Sequence, residues 1–304
     1  MQRGRFIFAA ALALVAASAH AATTTLVNTD FTLQDTKRLP VNWTLNGTAQ
    51  YELSFQGNMV AALDVALTKN TSGNSAAVWT NDAYTVPSFT MWADVNVDFH
   101  PSGPGVDATC PADGFALAFA NTTSPNAIGG AGGAIGLFSN PTDIPAFIGF
   151  EVNTWYGQDI DDTSTCTTNK NVTFAFENAN SDSGTDRGTA GDEKMGGDKV
   201  AQVTAPDALQ KGLINGGWYR YQWDVDTTTG KMDAYLTGLD ASNKAIQNMK
   251  LDEVTFASTA PKFNFKGRFG LTAGTGGGTE GVRVRQVVVV SPAVPAGAPP
   301  TAGQ

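Results

Sequence analysis

Histidine and cysteine are both scarce, with two of each among 304 residues. So few imidazoles exclude most histidine-based catalysis, and the two types together exclude most zinc centres. Basic residues are also outnumbered: 19 Lys and Arg stand against 28 Asp and Glu, for a net charge of −9. A phosphate backbone needs a basic surface, so nucleic acid is excluded as a partner. Charged residues make up 15% of the chain, too few for a coiled coil, while a 42% hydrophobic share excludes wholesale disorder. No apolar run reaches the roughly 20 residues of a membrane span. Nor is there a G-x-S-x-G, a P-loop or a CxxC.

The N-terminus carries Arg3 and Arg5, an apolar run over 6–17, and small residues ending in Ala19-His20-Ala21. A basic, then apolar, then small-residue order is that of a cleaved signal peptide, here over 1–21 and Ala-rich in the bacterial manner. The expectation is a secreted or periplasmic protein, in which His100 is the one histidine left. An oxidising compartment then leads us to expect Cys110 and Cys166 to form one disulfide, the alternative being a pair of free thiols.

Period-two alternation dominates the rest. Phe89, Met91, Ala93, Val95, Val97 and Phe99 share one face; Asp94, Asn96 and Asp98 share the other, which reads as a solvated outer face. The run 147–155 is more continuously apolar. Alternation returns at Val172, Phe174 and Phe176, at Tyr219, Tyr221, Trp223 and Val225, and at Met232, Ala234 and Leu236. Phe263, Phe265, Phe269 and Leu271 follow, then an apolar strand over 282–290. Asp226-Thr227-Thr228-Thr229-Gly230 is a hairpin turn in which Gly230 supplies a positive φ. Only 206–214 reads as a short helix, and 181–197 as a polar surface loop. Many short strands between Gly, Asn, Asp and Pro punctuation predict an all-β sandwich or barrel, one domain over 22–291, with a disordered Pro/Ala-rich tail at 292–304.

Five segments in order then carry a resemblance. They are Ala112-Asp113-Gly114-Phe115 opening an alternating strand; Gly129-Gly130-Ala131-Gly132-Gly133 ahead of Ile135-Gly136-Leu137-Phe138; Phe150-Glu151-Val152-Asn153-Thr154-Trp155; a hairpin beginning at Trp218; and Gly270-Leu271-Thr272-Ala273-Gly274-Thr275-Gly276-Gly277. The chain resembles the L-type (legume-like) lectins over nearly all of its length past the leader. The resemblance implies a concanavalin A-like jelly-roll β-sandwich of two antiparallel sheets, with Ile135 to Phe138 on a strand. It also implies that separated loops meet at one end of the sandwich to bind a glycan or polysaccharide.

The chemistry of such a site is legible residue by residue. Asp113 would accept two sugar hydroxyls, although taken alone it reads as a turn aspartate. Glycines bare their backbone N–H groups, which makes Gly132, Gly133, Gly276 and Gly277 candidate donors. Trp155 or Tyr156 would cover the apolar sugar face; if strand parity turns Trp155 into the core, Tyr156 is the better ring.

The resemblance further implies a calcium and a transition-metal site on the strand holding Glu151, and here the sequence departs. Asn153 replaces an aspartate and Gly157 an asparagine, while Asn171 stands where a histidine is expected. Loss of the imidazole argues against a transition metal. Calcium takes six to eight oxygens, so Glu151, Asn153, Asp159 and Asp162, with Asp161 nearby, form the candidate set; a solvated acidic loop is the alternative. The Cys110–Cys166 bridge would tie that loop to the Asp113 loop.

Three function classes are compatible with this fold: a non-catalytic lectin, a glycoside hydrolase or lyase, and a surface or matrix adhesion protein. A retaining hydrolase needs two carboxylates about 5–5.5 Å apart. Tyr156 stands where the second carboxylate after Glu151 would be required, and His100 beside Pro101 is the one candidate lyase base. The lectin, without catalysis, is the reading these residues favour. The sequence carries no trace of the oligomeric state.

Overall fold

The computed structural model describes residues 23–31, 42–56, 59–98, 111, 113–154, 172–179, 201–204, 213, 215–239, 245–255 and 265–292. Along the chain the strands are β1 (Thr24–Asp30), β2 (Trp43–Gly47), β3 (Gln50–Gln56), β4 (Met59–Thr68), β5 (Ser75–Thr80), β6 (Ser88–Asp98), β7 (Gly114–Asn121) and β8 (Ala146–Asn153). They continue as β9 (Thr173–Ala179), β10 (Ala201–Thr204), β11 (Asn215–Asp226), β12 (Lys231–Leu239), β13 (Ala245–Thr255), β14 (Arg268–Gly274) and β15 (Gly281–Ser291). These form two antiparallel sheets. The larger runs β13-β12-β11-β6-β15-β4-β3, with β1 also on β15; the smaller runs β10-β9-β8-β7-β14-β5-β2.

The alternation read from the sequence builds the space between the sheets. Phe89, Met91, Ala93, Val95 and Val97 of β6 are buried with Tyr221 and Trp223 of β11 and Met232, Ala234 and Leu236 of β12. The smaller sheet opposes them with Phe115, Leu117 and Phe119 of β7, Phe150 and Val152 of β8, and Phe269 and Leu271 of β14. Aromatic rings interlock in the core: Phe89 lies edge-on to Trp223 of its own sheet at 5.3 Å, and to Phe269 across the gap at 5.0 Å. Between β11 and β12 the predicted turn forms, Gly230 taking φ +73° and donating its N–H to the Asp226 carbonyl at 2.8 Å.

Two expectations need correction. Residues Ile135 to Phe138 are not a strand: they follow a single 3-10 turn (Gly132–Ala134) and continue as turns, with Ile135 itself left-handed at φ 40°. The reason is packing. Ile135 and Leu137 fold onto the outer face of the smaller sheet, where Ala116, Ala118 and Ala120 leave the space for them. Trp79 completes this second core and donates its indole N–H to the Ala127 carbonyl at 2.7 Å.

Nor is the polar face of β6 solvated. Asp94 is 1% exposed and Asn96 5%, with Asp98 half-buried. Asp94 accepts two hydrogen bonds from the Arg220 guanidinium, at 2.8 and 3.0 Å, and that guanidinium stacks 3.8 Å over Trp92. Arg285 lies 3.8 Å from the same carboxylate and over the Trp218 ring. The Asn96 amide donates to the carbonyls of Gly216 and Gly217. Asp94, Arg220 and Asn96 thus find hydrogen-bond partners within the protein, while Arg285 Nε and Nη2 and Trp92 Nε1 are buried without one.

The expected helix falls outside the described residues except for Leu213, which is buried. The leader over 1–21, the loop at 181–197, the tail beyond 292 and both cysteines also lie outside them. No helix among the described residues is long and apolar enough to cross a membrane.

Candidate functional site

Three separated loops meet at one end of the sandwich. Asp113 stands immediately before β7, where its backbone N–H donates to the Gly274 carbonyl at 2.9 Å, and its own carbonyl accepts from the Thr154 N–H at 3.1 Å. These bonds clamp the residue between the end of β14 and the end of β8. Its side chain is buried, with Oδ2 lacking any hydrogen-bond partner. The Gly276 N–H donates to the carboxylate, and burial raises its pKa to about 7.

Glycine keeps this meeting point open. A Cβ on Gly276 would lie 2.9 Å from Asp113 Oδ2 and 3.3 Å from the Gly132 Cα. The structure therefore brings Asp113, Gly132 and Gly276 together. Gly277 is exposed, with open space where a side chain would go, and Gly133 is half-buried beside Gly132. A close backbone approach of this kind leaves room for a ligand oxygen that any larger residue would occupy.

Neighbours that the sequence reading did not single out hold the loops in place. The Gly132 N–H donates to the Thr275 carbonyl at 3.2 Å, and the Thr275 N–H to the Asn74 carbonyl at 3.0 Å. Asn74 and Thr275 lock reciprocally: the Asn74 N–H donates to Thr275 Oγ1 at 2.9 Å, and that hydroxyl donates to the Thr71 carbonyl at 2.7 Å. Gly136, at φ +70°, would place a Cβ 2.1 Å from the Ala76 carbonyl oxygen, so the 129–136 loop closes against β5 only with glycine there.

Glu280 is the other residue missed. It is fully buried, accepts a 2.5 Å hydrogen bond from the Thr154 hydroxyl and a further one from the Gly114 N–H, and leaves Oε1 without a partner. Burial first, then the neighbouring Asp113 carboxylate, lift its pKa to about 8 against those two bonds. The only trace in the sequence is one acidic residue among glycines and threonines just before an apolar strand, too slight a signal without knowing which loop faces it.

Of the metal candidates, Glu151 and Asn153 are buried and share one face of β8, opposite to Phe150 and Val152, which point into the core. One carboxylate and one amide fall short of a calcium shell. No group of three or more His, Cys, Asp or Glu able to hold a metal occurs among the described residues. Asp159, Asp161 and Asp162 lie outside those residues, as do Trp155, Tyr156, Gly157, Asn171 and His100.

The chain matches no protein-family model and no curated protein sequence. Its sandwich does match solved structures. Lectin I-B4 from Griffonia simplicifolia, in a metal-free form, superposes with a TM-score of 0.55 at 14% identity, over 89% of this chain and 100% of that one. This chain has the L-type lectin fold. The lectin from Bauhinia forficata in complex with GalNAc gives a TM-score of 0.55 at 15% identity, covering 88% and 97% of the two chains. The exoplasmic/lumenal domain of VIP36, bound to Ca2+ and Man3GlcNAc, gives 0.52 at 15% identity, covering 82% and 84%. The lectin fold expected from five short motifs is thus the fold observed, with the smaller sheet, the 129–136 loop and the 274–281 loop framing Asp113.

Proposed function

We propose that this chain is a carbohydrate-binding protein without catalysis, taking a sugar at the loops around Asp113. The observation that carries the reading is the Asp113 carboxylate. Its Oδ2 is buried and unpartnered although Gly276 donates to the carboxylate, and Gly132 and the open Gly277 stand alongside. A buried acceptor without a donor is costly, and a sugar hydroxyl is a donor of the right size. Gly133 and Gly277 would add backbone N–H groups, and Trp155 or Tyr156 the stacking ring. The solved neighbours that hold GalNAc and a mannose-containing glycan support the same class of ligand.

Catalysis is a poorer fit to these residues. Asp113 and Glu280 are two carboxyls close enough to interact, but Glu280 is fully buried, so the pair cannot flank a glycosidic bond with one acid on each side. Glu151 and Asn153 would contribute to a calcium site completed by Asp159 and Asp162. The leader pattern over 1–21 supports export to the periplasm or the medium, and a Cys110–Cys166 disulfide suits that compartment.

The test is a glycan array probed with and without EDTA. Binding to a defined set of glycans is the expected result, and loss with EDTA identifies a metal; binding to none, or release of reducing ends from polysaccharide, overturns the reading. Gly276→Ala is expected to weaken binding at least about tenfold by pressing on the carboxylate, an effect of about 1.4 kcal/mol. Gly277→Ala meets nothing and should leave the thermal midpoint unchanged. Calorimetric titration and thermal melts of the two variants check this.

A further inference from the structure

Glu280 has no place in the binding chemistry just described, yet it is built into the same end of the sandwich. It closes the 274–281 loop, whose other end donates Gly276 to Asp113. Three strands hold it there. The Thr68 hydroxyl of β4 donates to its carbonyl at 2.9 Å, the Gly114 N–H of β7 donates to its carboxyl, and Thr154 after β8 donates to Oε2. Thr154 also holds the Asp113 carbonyl through its backbone N–H, so Glu280 braces one of the two residues that clamp Asp113, and Gly114 next to it.

The geometry points to Glu280 as a positioning residue of the carbohydrate site, one that holds the 274–281 loop over Asp113 only while its own carboxyl is uncharged. This rests on the carbohydrate reading above. The physical reason is that Glu280 Oε1 is fully buried without a partner, so a charge placed there has nothing to offset it. The ionisable groups that act on the pair, among the described residues, are each other and Tyr221 of β11, whose hydroxyl burial holds far above the ordinary tyrosine range and therefore neutral. No cation is among them. Glu151 and Asn153 of β8 lie on the face opposite to the core residues Phe150 and Val152.

The two carboxyls then ionise in order. Asp113 loses its proton near pH 7, while Glu280 is still neutral, and becomes the acceptor for sugar hydroxyls. Glu280 ionises near pH 8 against the charged Asp113. Two like charges in one buried site repel, and the loop carrying Gly276 relieves that repulsion by lifting away. The two steps belong to the pair as a whole, and affinity is bell-shaped in pH. Stability has a simpler course. Both groups hold protons more tightly in the folded chain than in the unfolded one, so their contribution is full below about pH 4 and is lost as pH climbs through 7 and 8.

The experiment measures the affinity of the full chain for immobilised Man3GlcNAc and N-acetylgalactosamine from pH 5 to 10, for the natural sequence and for Glu280→Gln, alongside thermal midpoints without sugar. The natural chain is expected to bind best between about pH 7 and 8. Glu280→Gln keeps an amide oxygen to accept from Thr154. It should retain the rise near pH 7 and lose the fall above 8, binding about tenfold tighter than the natural chain at pH 9. A natural chain whose affinity shows no fall above pH 8, or a variant that keeps that fall, overturns the role of Glu280 while leaving the carbohydrate reading standing. Absence of binding to both probes at every pH overturns the carbohydrate reading and this one with it. If Glu280→Gln does not fold, the natural profile decides alone, and a thermal midpoint that does not decline between pH 6 and 9 overturns the proposal without any sugar.

Discussion

Arg220→Ala is expected to destabilise the fold by about 3–5 kcal/mol, the cost of leaving a buried charge without its partner. Asp94 sits on the outer face of the larger sheet, 1% exposed, and receives both of its short hydrogen bonds from Arg220. Removing that guanidinium also uncovers the Trp92 ring on which it stacks. Arg285 offsets only part of the loss: its Nε lies 3.8 Å from Asp94, an ion pair without a hydrogen bond, while its guanidinium lies over the Trp218 ring. Denaturant unfolding should show a lower midpoint with an unchanged slope. The double change Asp94→Leu with Arg220→Met is expected to cost far less than Arg220→Ala, because it removes both charges and keeps the volume. Equal losses in the two variants would mean that the ion pair is not what holds this face.

Asp113→Asn should separate affinity from stability, with opposite signs. The amide keeps the size and one acceptor oxygen, but it loses the charge that strengthens hydrogen bonds from sugar hydroxyls. Two such bonds at about 1.5–3 kcal/mol each correspond to a loss of at least 100-fold in glycan affinity. At pH 8, by contrast, the natural chain carries a carboxylate whose burial is opposed by a single backbone N–H. Replacing it with a neutral group removes that cost, so the thermal midpoint at pH 8 should rise, and at pH 4 it should change little. Calorimetric titration against array-selected glycans and melts at the two pH values decide the matter. Retained affinity would remove Asp113 from the site, and a midpoint that falls at pH 8 would mean its carboxylate has a partner in the folded chain.

Much of the sandwich was legible because alternation is a direct record of a sheet with one apolar face. β6 reads almost to its ends, β11 and β12 through their centres but not over 215–218 or 237–239, and the 226–230 turn is written in its final glycine. β15 shows where that record fails. A bulge at Arg285 switches its parity, so Val282 and Val284, then Val287 and Val289, all face the core. Strict alternation cannot represent this. The Asp94 face was misread because an aspartate and an arginine more than a hundred residues apart give no sign in sequence that they will pair. The Ile135–Phe138 stretch was misread because an apolar run covering a sheet and one belonging to it have the same composition. At the site, Asp113, Gly132 and Gly276 were visible through motif order. Glu280, Asn74 and Thr275 were not, since each acts through hydrogen bonds that only the folded loops define.

The position of β15 has a consequence for how this chain is made. It lies in the interior of the larger sheet, paired with β6 along one edge and with β4 and β1 along the other, and its register joins Thr24 to Ser291. A nascent chain emerging from a ribosome would therefore carry β6 and β4 as open edges, with apolar faces uncovered, until residues near 290 have cleared the exit tunnel. Closure then depends on contacts between the two extremes of the sheet, the slowest class to form because the longest loop must be ordered first. The larger sheet therefore waits on β15, and until it docks the open edges of β4 and β6 are exposed to mispairing.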